Sequence, residues 1–100
     1  MGIVTKGRRV YPDPQEPDLK IFEPGDYGFV KEFDGVEYLW FTLPVAPDEY
    51  GFRMFARLNP KIHSITVNPD GTVTASPSIL VTQGKRTWHG YLINGEWREC

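Results

Sequence analysis

Apolar and polar residues alternate with a period of two along most of this chain. Val36, Tyr38, Trp40 and Thr42 interleave with Glu37, Leu39, Phe41 and Leu43. Neither set is purely polar, so the pattern predicts a strand covered on both faces. Residues 62–67 and 72–76 put Ile65, Val67, Val73 and Ala75 on one side and Ser64, Thr66, Thr72 and Thr74 on the other, the mark of a half-buried hairpin. Residues 87–93 and 96–100 put Trp88, Leu92 and Trp97 on a core face and His89, Tyr91, Arg98 and Cys100 on the opposite one. Ile79, Leu80 and Val81 mark a further strand. No window carries apolar residues at i, i+3, i+4 and i+7 through several turns. Residues 48–58 are the best helical candidate, but Gly51 weakens it and the sequence favours a strand there.

Turn chemistry sets the registers. Asp34-Gly35 joins residues 27–33 to 36–43 and suits a type I′ turn, whose central residues need positive φ. In Asn68-Pro69-Asp70-Gly71 the proline suits a type I turn and Gly71 supplies a left-handed position. That pairs Val67 with Val73, Ile65 with Ala75 and His63 with Pro77. Asn94-Gly95 pairs Ile93 with Glu96, Leu92 with Trp97, Tyr91 with Arg98 and His89 with Cys100. Leu19, Ile21 and Phe22 suggest a short strand, and Pro24-Gly25-Asp26 a turn. Nine prolines and ten glycines leave little room for helix.

Residues 1–18 read as an extended, Pro-rich N-terminal arm. Pro12-Asp13-Pro14-Gln15-Glu16-Pro17 favours polyproline II geometry and has little to bury. The fold is expected to stand without the arm. Residues 19–100 form a single all-β domain, a small antiparallel β-sandwich or barrel of about seven strands built from hairpins.

Composition fits that picture. One hundred residues suit one domain, and fourteen aromatics supply much of the core. The net charge is −2 with both signs dispersed, and only Lys6, Arg8 and Arg9 and the pair Lys85-Arg86 cluster. A nucleic-acid partner is therefore not expected. A single cysteine, Cys100, rules out an internal disulfide. The first ten residues lack the apolar core of a signal peptide, and no apolar run suits a membrane helix. The expected setting is cytoplasmic: the host cytoplasm, or the virion if the chain is phage-encoded.

Residues 63–100 contain Thr-Val-Thr-Ala-Ser-Pro-Ser-Ile, then Trp88-His89-Gly90-Tyr91-Leu92-Ile93-Asn94-Gly95-Glu96-Trp97. This resembles a family of small uncharacterised bacteriophage and bacterial proteins. Its members show a TVT-SPSI stretch followed by a WHG-L-NG-W or SHF-I-NG stretch. Ser76, Pro77, Ser78, Ile79, His89, Gly90, Asn94 and Gly95 carry the match. Some members bear the name ammonia monooxygenase, which reads as a misassignment, and bacterial relatives lie near ubiquitin-like conjugation genes. The resemblance implies a mainly β fold, a phage origin and no established reaction. Cellular members often have a Cys-rich, metal-binding N-terminal segment, whereas this chain has no cysteine before position 100.

His89 opposite Cys100 is the one suggestive chemical pair, since a thiol beside an imidazole can be activated or share a metal. Zinc needs three or four ligands, so His63 or a carboxylate such as Glu99 would have to join them. Catalysis by Cys100 would also need a rigid oxyanion site, which a chain end does not readily supply. Ser76 and Ser78 lack a nucleophile elbow, and Pro77 between them predicts a bulge or strand switch. Trp40, Trp88 and Trp97 could form a stacking platform, but in so small a domain they are expected in the core. Arg8, Arg9 and Tyr11 are the partner-contacting candidates on the arm. The leading expectation is a non-enzymatic, phage-encoded β module without a cofactor. It would bind a protein partner or a second copy of itself, as a virion accessory or decoration protein or as a host-interaction protein. The alternative is a small zinc-binding or enzymatic domain using His63, His89 and Cys100.

Overall fold

A computed structural model describes residues 3–12 and 22–100. The described residues form nine strands and no helix. In chain order they are β1 (Val4–Lys6), β2 (Arg8–Arg9), β3 (Asp26–Lys31), β4 (Glu37–Thr42), β5 (Phe55–Leu58), β6 (Ser64–Val67), β7 (Val73–Gln83), β8 (Arg86–Ile93) and β9 (Glu96–Glu99). They build two sheets, one ordered β1-β9-β8-β7-β6 and the other β2-β3-β4-β5. The result is the expected all-β sandwich, antiparallel except for the short β2–β3 pairing.

The C-terminal hairpins keep the registers predicted from their turns. Asn94 and Gly95 both have positive φ (49° and 75°), as a type I′ turn requires, and Leu92 pairs with Trp97. The Cys100 N–H donates to the His89 carbonyl at 2.9 Å, continuing that register to the chain end. Val67 pairs with Val73 and Ile65 with Ala75 across a turn closed by Gly71 at φ 87°. The stretch expected to hold two separate strands around Ser76-Pro77-Ser78 is one strand, β7, with an irregularity between Ala75 and Ile79. A bulge lets the proline sit in the strand without ending it.

Two local expectations change. The Asp34-Gly35 turn is a three-residue loop rather than type I′. The Gly35 N–H donates to the Glu32 carbonyl, the Glu32 N–H to Val36, and only Gly35 has positive φ. Residues 48–54 are irregular rather than strand, because Asp48 Oδ1 accepts the Tyr50 and Phe52 N–H groups at 2.8 and 2.9 Å and so satisfies the backbone locally. Leu19 and Ile21 lie outside the described residues.

The interior draws on both sheets. Tyr27, Leu39, Phe41 and Leu58 from one layer meet Val73, Ala75, Ile79, Trp88, Leu92 and Trp97 from the other, with Leu43 and Met54 closing an end. Trp97 is fully buried at the centre. Its ring lies edge-on to Tyr27 and to Trp88 (centroids 6.5 and 5.7 Å) and tilted against Phe41 at 5.3 Å. Its indole N–H crosses the sandwich to the Gly25 carbonyl, 2.9 Å away, in the turn before β3.

The N-terminal segment is extended but does not stand apart from the domain. Val4, Thr5 and Lys6 pair with Arg98, Trp97 and Glu96 in one sheet, and Arg8 and Arg9 with Asp26 and Tyr27 in the other. The prolines begin only at Pro12, so residues 4–9 keep every N–H that sheet pairing needs. The chain changes sheets at Gly7. A side chain there would meet the Gly95 carbonyl oxygen at 2.7 Å, Trp97 Nε1 at 2.9 Å and the Gly25 carbonyl oxygen at 3.0 Å. Residues 13–18 of the expected arm lie outside the described residues.

Gly7→Ala is therefore expected to lower stability by about 1–3 kcal/mol in urea melts, whereas Lys6→Ala, on the exposed side of β1, should leave it nearly unchanged. Removing residues 1–10 should lower the thermal midpoint markedly. An unchanged midpoint would show that both sheets hold without the strands that join them.

Candidate binding groove

Each strand of the four-stranded sheet has a second face, turned away from the core. Leu39 and Phe41 point inward from β4, so Tyr38, Trp40 and Thr42 point outward. The partners of Trp40 and Thr42 on β5, Arg57 and Phe55, share that outer face. Trp40 and Phe55 stack at 6.4 Å with an interplanar angle of 20°. The Trp40 indole N–H donates to Glu32 Oε2 at 3.0 Å, and Arg57 pairs with the other oxygen of the same carboxylate. The Arg57 guanidinium also lies 4.5 Å from the Tyr38 ring centroid. These contacts hold Trp40 in one orientation.

Beside this stack lies a groove of about 330 Å³ lined by Phe22, Trp40, Phe41, Thr42, Gly51, Phe52, Arg53 and Phe55. Five of those eight are aromatic. Phe52 and Phe55 are more than half exposed, at 64% and 52%, so their rings form open walls. The irregular 44–54 segment brings Phe52 and Arg53 to the rim. The β7–β8 hairpin ties it down near both of its ends, because Gln83 Nε2 donates to the Arg53 carbonyl at 2.9 Å and Arg86 Nη2 to the Ala46 carbonyl at 2.7 Å. Arg53 forms an ion pair with Glu23 at 3.1 Å. The wall is fixed by the fold, and among the described residues its chemistry is apolar with one guanidinium at the edge.

A second exposed feature stands at the β3–β4 hairpin tip. Phe33 is wholly exposed there, at 111% of its reference area. Asp34 holds the tip by accepting the Val36 N–H at 2.9 Å and the Tyr38 hydroxyl at 2.7 Å. Those bonds keep the Asp34 carboxyl below the ordinary carboxylate range and push the Tyr38 hydroxyl up. In the neighbouring sheet Asp70 is lowered in the same way, by the Thr72 hydroxyl and N–H.

The sequence-derived candidates fall elsewhere. His89 and Cys100 are adjacent across β8 and the chain end, both exposed. His63 precedes β6, which β7 separates from β8. Ser64 pairs with Ser76 and His89 with Leu80, so His63 is displaced along the sheet as well. Among the described residues no three His, Cys, Asp or Glu side chains are grouped so as to hold a metal ion. The zinc set of His63, His89 and Cys100 is thus not brought together.

Arg8 and Arg9 have partners within the fold. Arg8 makes a two-pronged bond to the buried Asp26 carboxylate (3.0 and 2.7 Å). Arg9 reaches from one sheet to the Gly71 carbonyl at 3.0 Å, with Tyr11 against its guanidinium at 4.7 Å. Tyr11 itself remains exposed. Of the three tryptophans, Trp88 and Trp97 are core as expected, but Trp40 faces outward into the groove. The sequence did carry a signal for it: β4 is apolar on both faces, and one hundred residues do not provide a third layer to cover the second. An aromatic at a turn position, Phe33 before Asp34-Gly35, was the corresponding signal for the tip.

No family model, no curated protein and no solved structure matches the chain. No helix among the described residues is long and apolar enough to cross a membrane.

Because both turn carboxylates have folded pKa values below their unfolded ones, their stabilising contribution is complete above about pH 4 and is lost as the pH falls through the lowered values. The thermal midpoint should accordingly drop on acidification below that point. Asp34→Ala and Asp70→Ala should each start lower at pH 7 and fall less. Parallel curves for wild type and variants would contradict the assignment.

Proposed function

We propose that this chain is a non-enzymatic β module that binds a protein partner through the aromatic groove on the outer face of its four-stranded sheet. It would be a small bacteriophage protein of the kind its C-terminal motifs resemble. The groove carries the reading. It is of a size that suits ligand sites, is mostly aromatic and is built on a rigid sheet. Exposed aromatic walls of this sort act as anchoring surfaces, because large flat side chains bury much area at little entropic cost. Among the described residues Arg53, paired with Glu23, is the one charged side chain in the lining, and such mostly apolar walls suit an apolar side chain presented by a protein rather than a polyanion. The pairing of Arg57 with Glu32 beside it leaves the rim electrically balanced.

N-acetyl-phenylalaninamide is the simplest probe of this reading. Titrated into isotope-labelled protein, it should shift the amides of Thr42, Phe52, Arg53 and Phe55, and Phe55→Asp should abolish the response. Absence of shifts, or shifts scattered over the molecule, would refute the groove as a binding site.

A further inference from the structure

Two open sheets leave strand edges at β1 and β6 and at β2 and β5. Folded proteins guard such edges with charge, proline, shortness or a bulge, because a bare row of backbone groups pairs with other chains. Three of these edges are guarded. β1 has three residues, ends in Lys6 and leaves its sheet at Gly7. β2 has two residues and runs on towards Pro12. β5 carries Arg57, and its Phe55 N–H donates to Gln83 Oε1 at 3.4 Å. β6, Ser64-Ile65-Thr66-Val67, has no charge and no proline, and its pairing with β7 is regular.

The groups on its open side follow from the ladder. The Asn68 N–H donates to the Thr72 carbonyl at 2.8 Å, and alternation from that bond makes Thr66–Thr74 and Ser64–Ser76 the bonded pairs. The N–H and carbonyl groups of Ile65 and Val67 therefore point away from β7. No backbone group among the described residues meets them there. Their side chains lie on the core face, where Ile65 packs against the interior. Val67 shares that face and is 51% exposed, although its partner Val73 is fully buried. The core is thus left open along β6.

We infer that β6 pairs antiparallel with β6 of a second copy about a two-fold axis at Thr66, joining the two five-stranded sheets into one. In that register Ile65 stands opposite the second copy's Val67, and each residue's N–H donates to the other's carbonyl. Every outward group of Ile65 and Val67 is then satisfied. The neighbouring registers fail. One places Val67 opposite His63, whose N–H is already given to the Asn59 carbonyl, and the other places Ile65 opposite Pro69, which has no N–H. The strand is also its own complement in side chains. Ile65 meets valine, Thr66 meets threonine, and no like charges oppose. The apolar pairs extend the core face where Val67 leaves it open. The contact is isologous and closes at two chains. It is narrow beside the roughly 1,600 Å² of a standard stable interface, so association depends on concentration. The groove plays no part in it.

Cysteine trapping tests the register directly. Thr66 would oppose itself as a non-bonded pair, with Cα atoms about 4.5 Å apart, a separation that a disulfide spans. With Cys100→Ser removing the native thiol, Thr66→Cys should oxidise to a linked dimer about tenfold faster or more than Thr82→Cys, an exposed strand position away from this edge. Sedimentation velocity supplies the second arm. Wild type should approach two chains and go no further as concentration rises, and Phe55→Asp should behave alike. Thr66→Lys and Thr66→Glu should each stay monomeric, because the axis brings like charges together, and their equimolar mixture should dimerise. Equal trapping at positions 66 and 82, or a mixture no more associated than its components, overturns the inference. If either charged variant loses its folded circular dichroism spectrum, trapping decides alone. Because neither arm touches the groove, failure here leaves the N-acetyl-phenylalaninamide result standing, and failure of that probe leaves the strand pairing standing.

Discussion

The structure turns on the passage of the N-terminal chain between two sheets beside the Trp97 indole. Trp97 gives its only polar group to the Gly25 carbonyl of the opposite layer and buries the rest of its surface among Tyr27, Phe41 and Trp88. A buried indole N–H without that acceptor would carry an uncompensated desolvation cost. The backbone at Gly7 packs against the same spot, with its N–H donating to the Gly95 carbonyl at 2.8 Å. Only a residue without a side chain leaves the indole, the Gly25 turn and the Asn94-Gly95 turn in contact. The crossing thus ties β1 to one sheet and β2 to the other, over the centre of the core.

That arrangement explains where the exposed chemistry ends up. The basic residues of the N-terminal segment are spent holding it in place, Arg8 on Asp26 and Arg9 on Gly71. Residues 10–12 then cross the outer face at Gly28, where a side chain would meet the Val10 carbonyl oxygen at 2.5 Å. They cover the β3 side of the four-stranded sheet. On the β5 side Trp40 and Phe55 remain stacked and partly open, and the 44–54 segment builds a wall against them rather than a cover. The groove follows from a sheet with two apolar faces in a molecule whose described residues bury only one of them fully.

The hairpin tip and the groove share β4, which gives them a fixed separation and orientation. Tyr38 and Arg57 lie between them, with Glu32 bonded to both Arg57 and Trp40. A side-chain network therefore runs from the strand bearing the tip to the wall of the groove.

The local order of this protein was determined by the sequence itself. Asn94-Gly95 and Asn68-Pro69-Asp70-Gly71 set the registers of their hairpins, because so few residues tolerate the backbone angles these turns demand. Period-two alternation placed Trp88, Leu92 and Trp97 on one buried face. His89 opposite Cys100 was legible for the same reason. What the sequence left open was decided by contacts between residues distant along the chain. Whether residues 4–9 pair or hang free depends on the open edges of β9 and β3, which exist only once both sheets have formed. Whether Trp40 is core or surface depends on what lies over the second face of β4, and alternation marks two faces without saying which one is covered. His63 could be grouped with His89 and Cys100 on paper, but β7 lies between their strands. The groove joins Phe22, Trp40, Phe52 and Phe55 from separate stretches of chain, and proximity of that kind arises from sheet order and loop path, which local residue preferences do not encode.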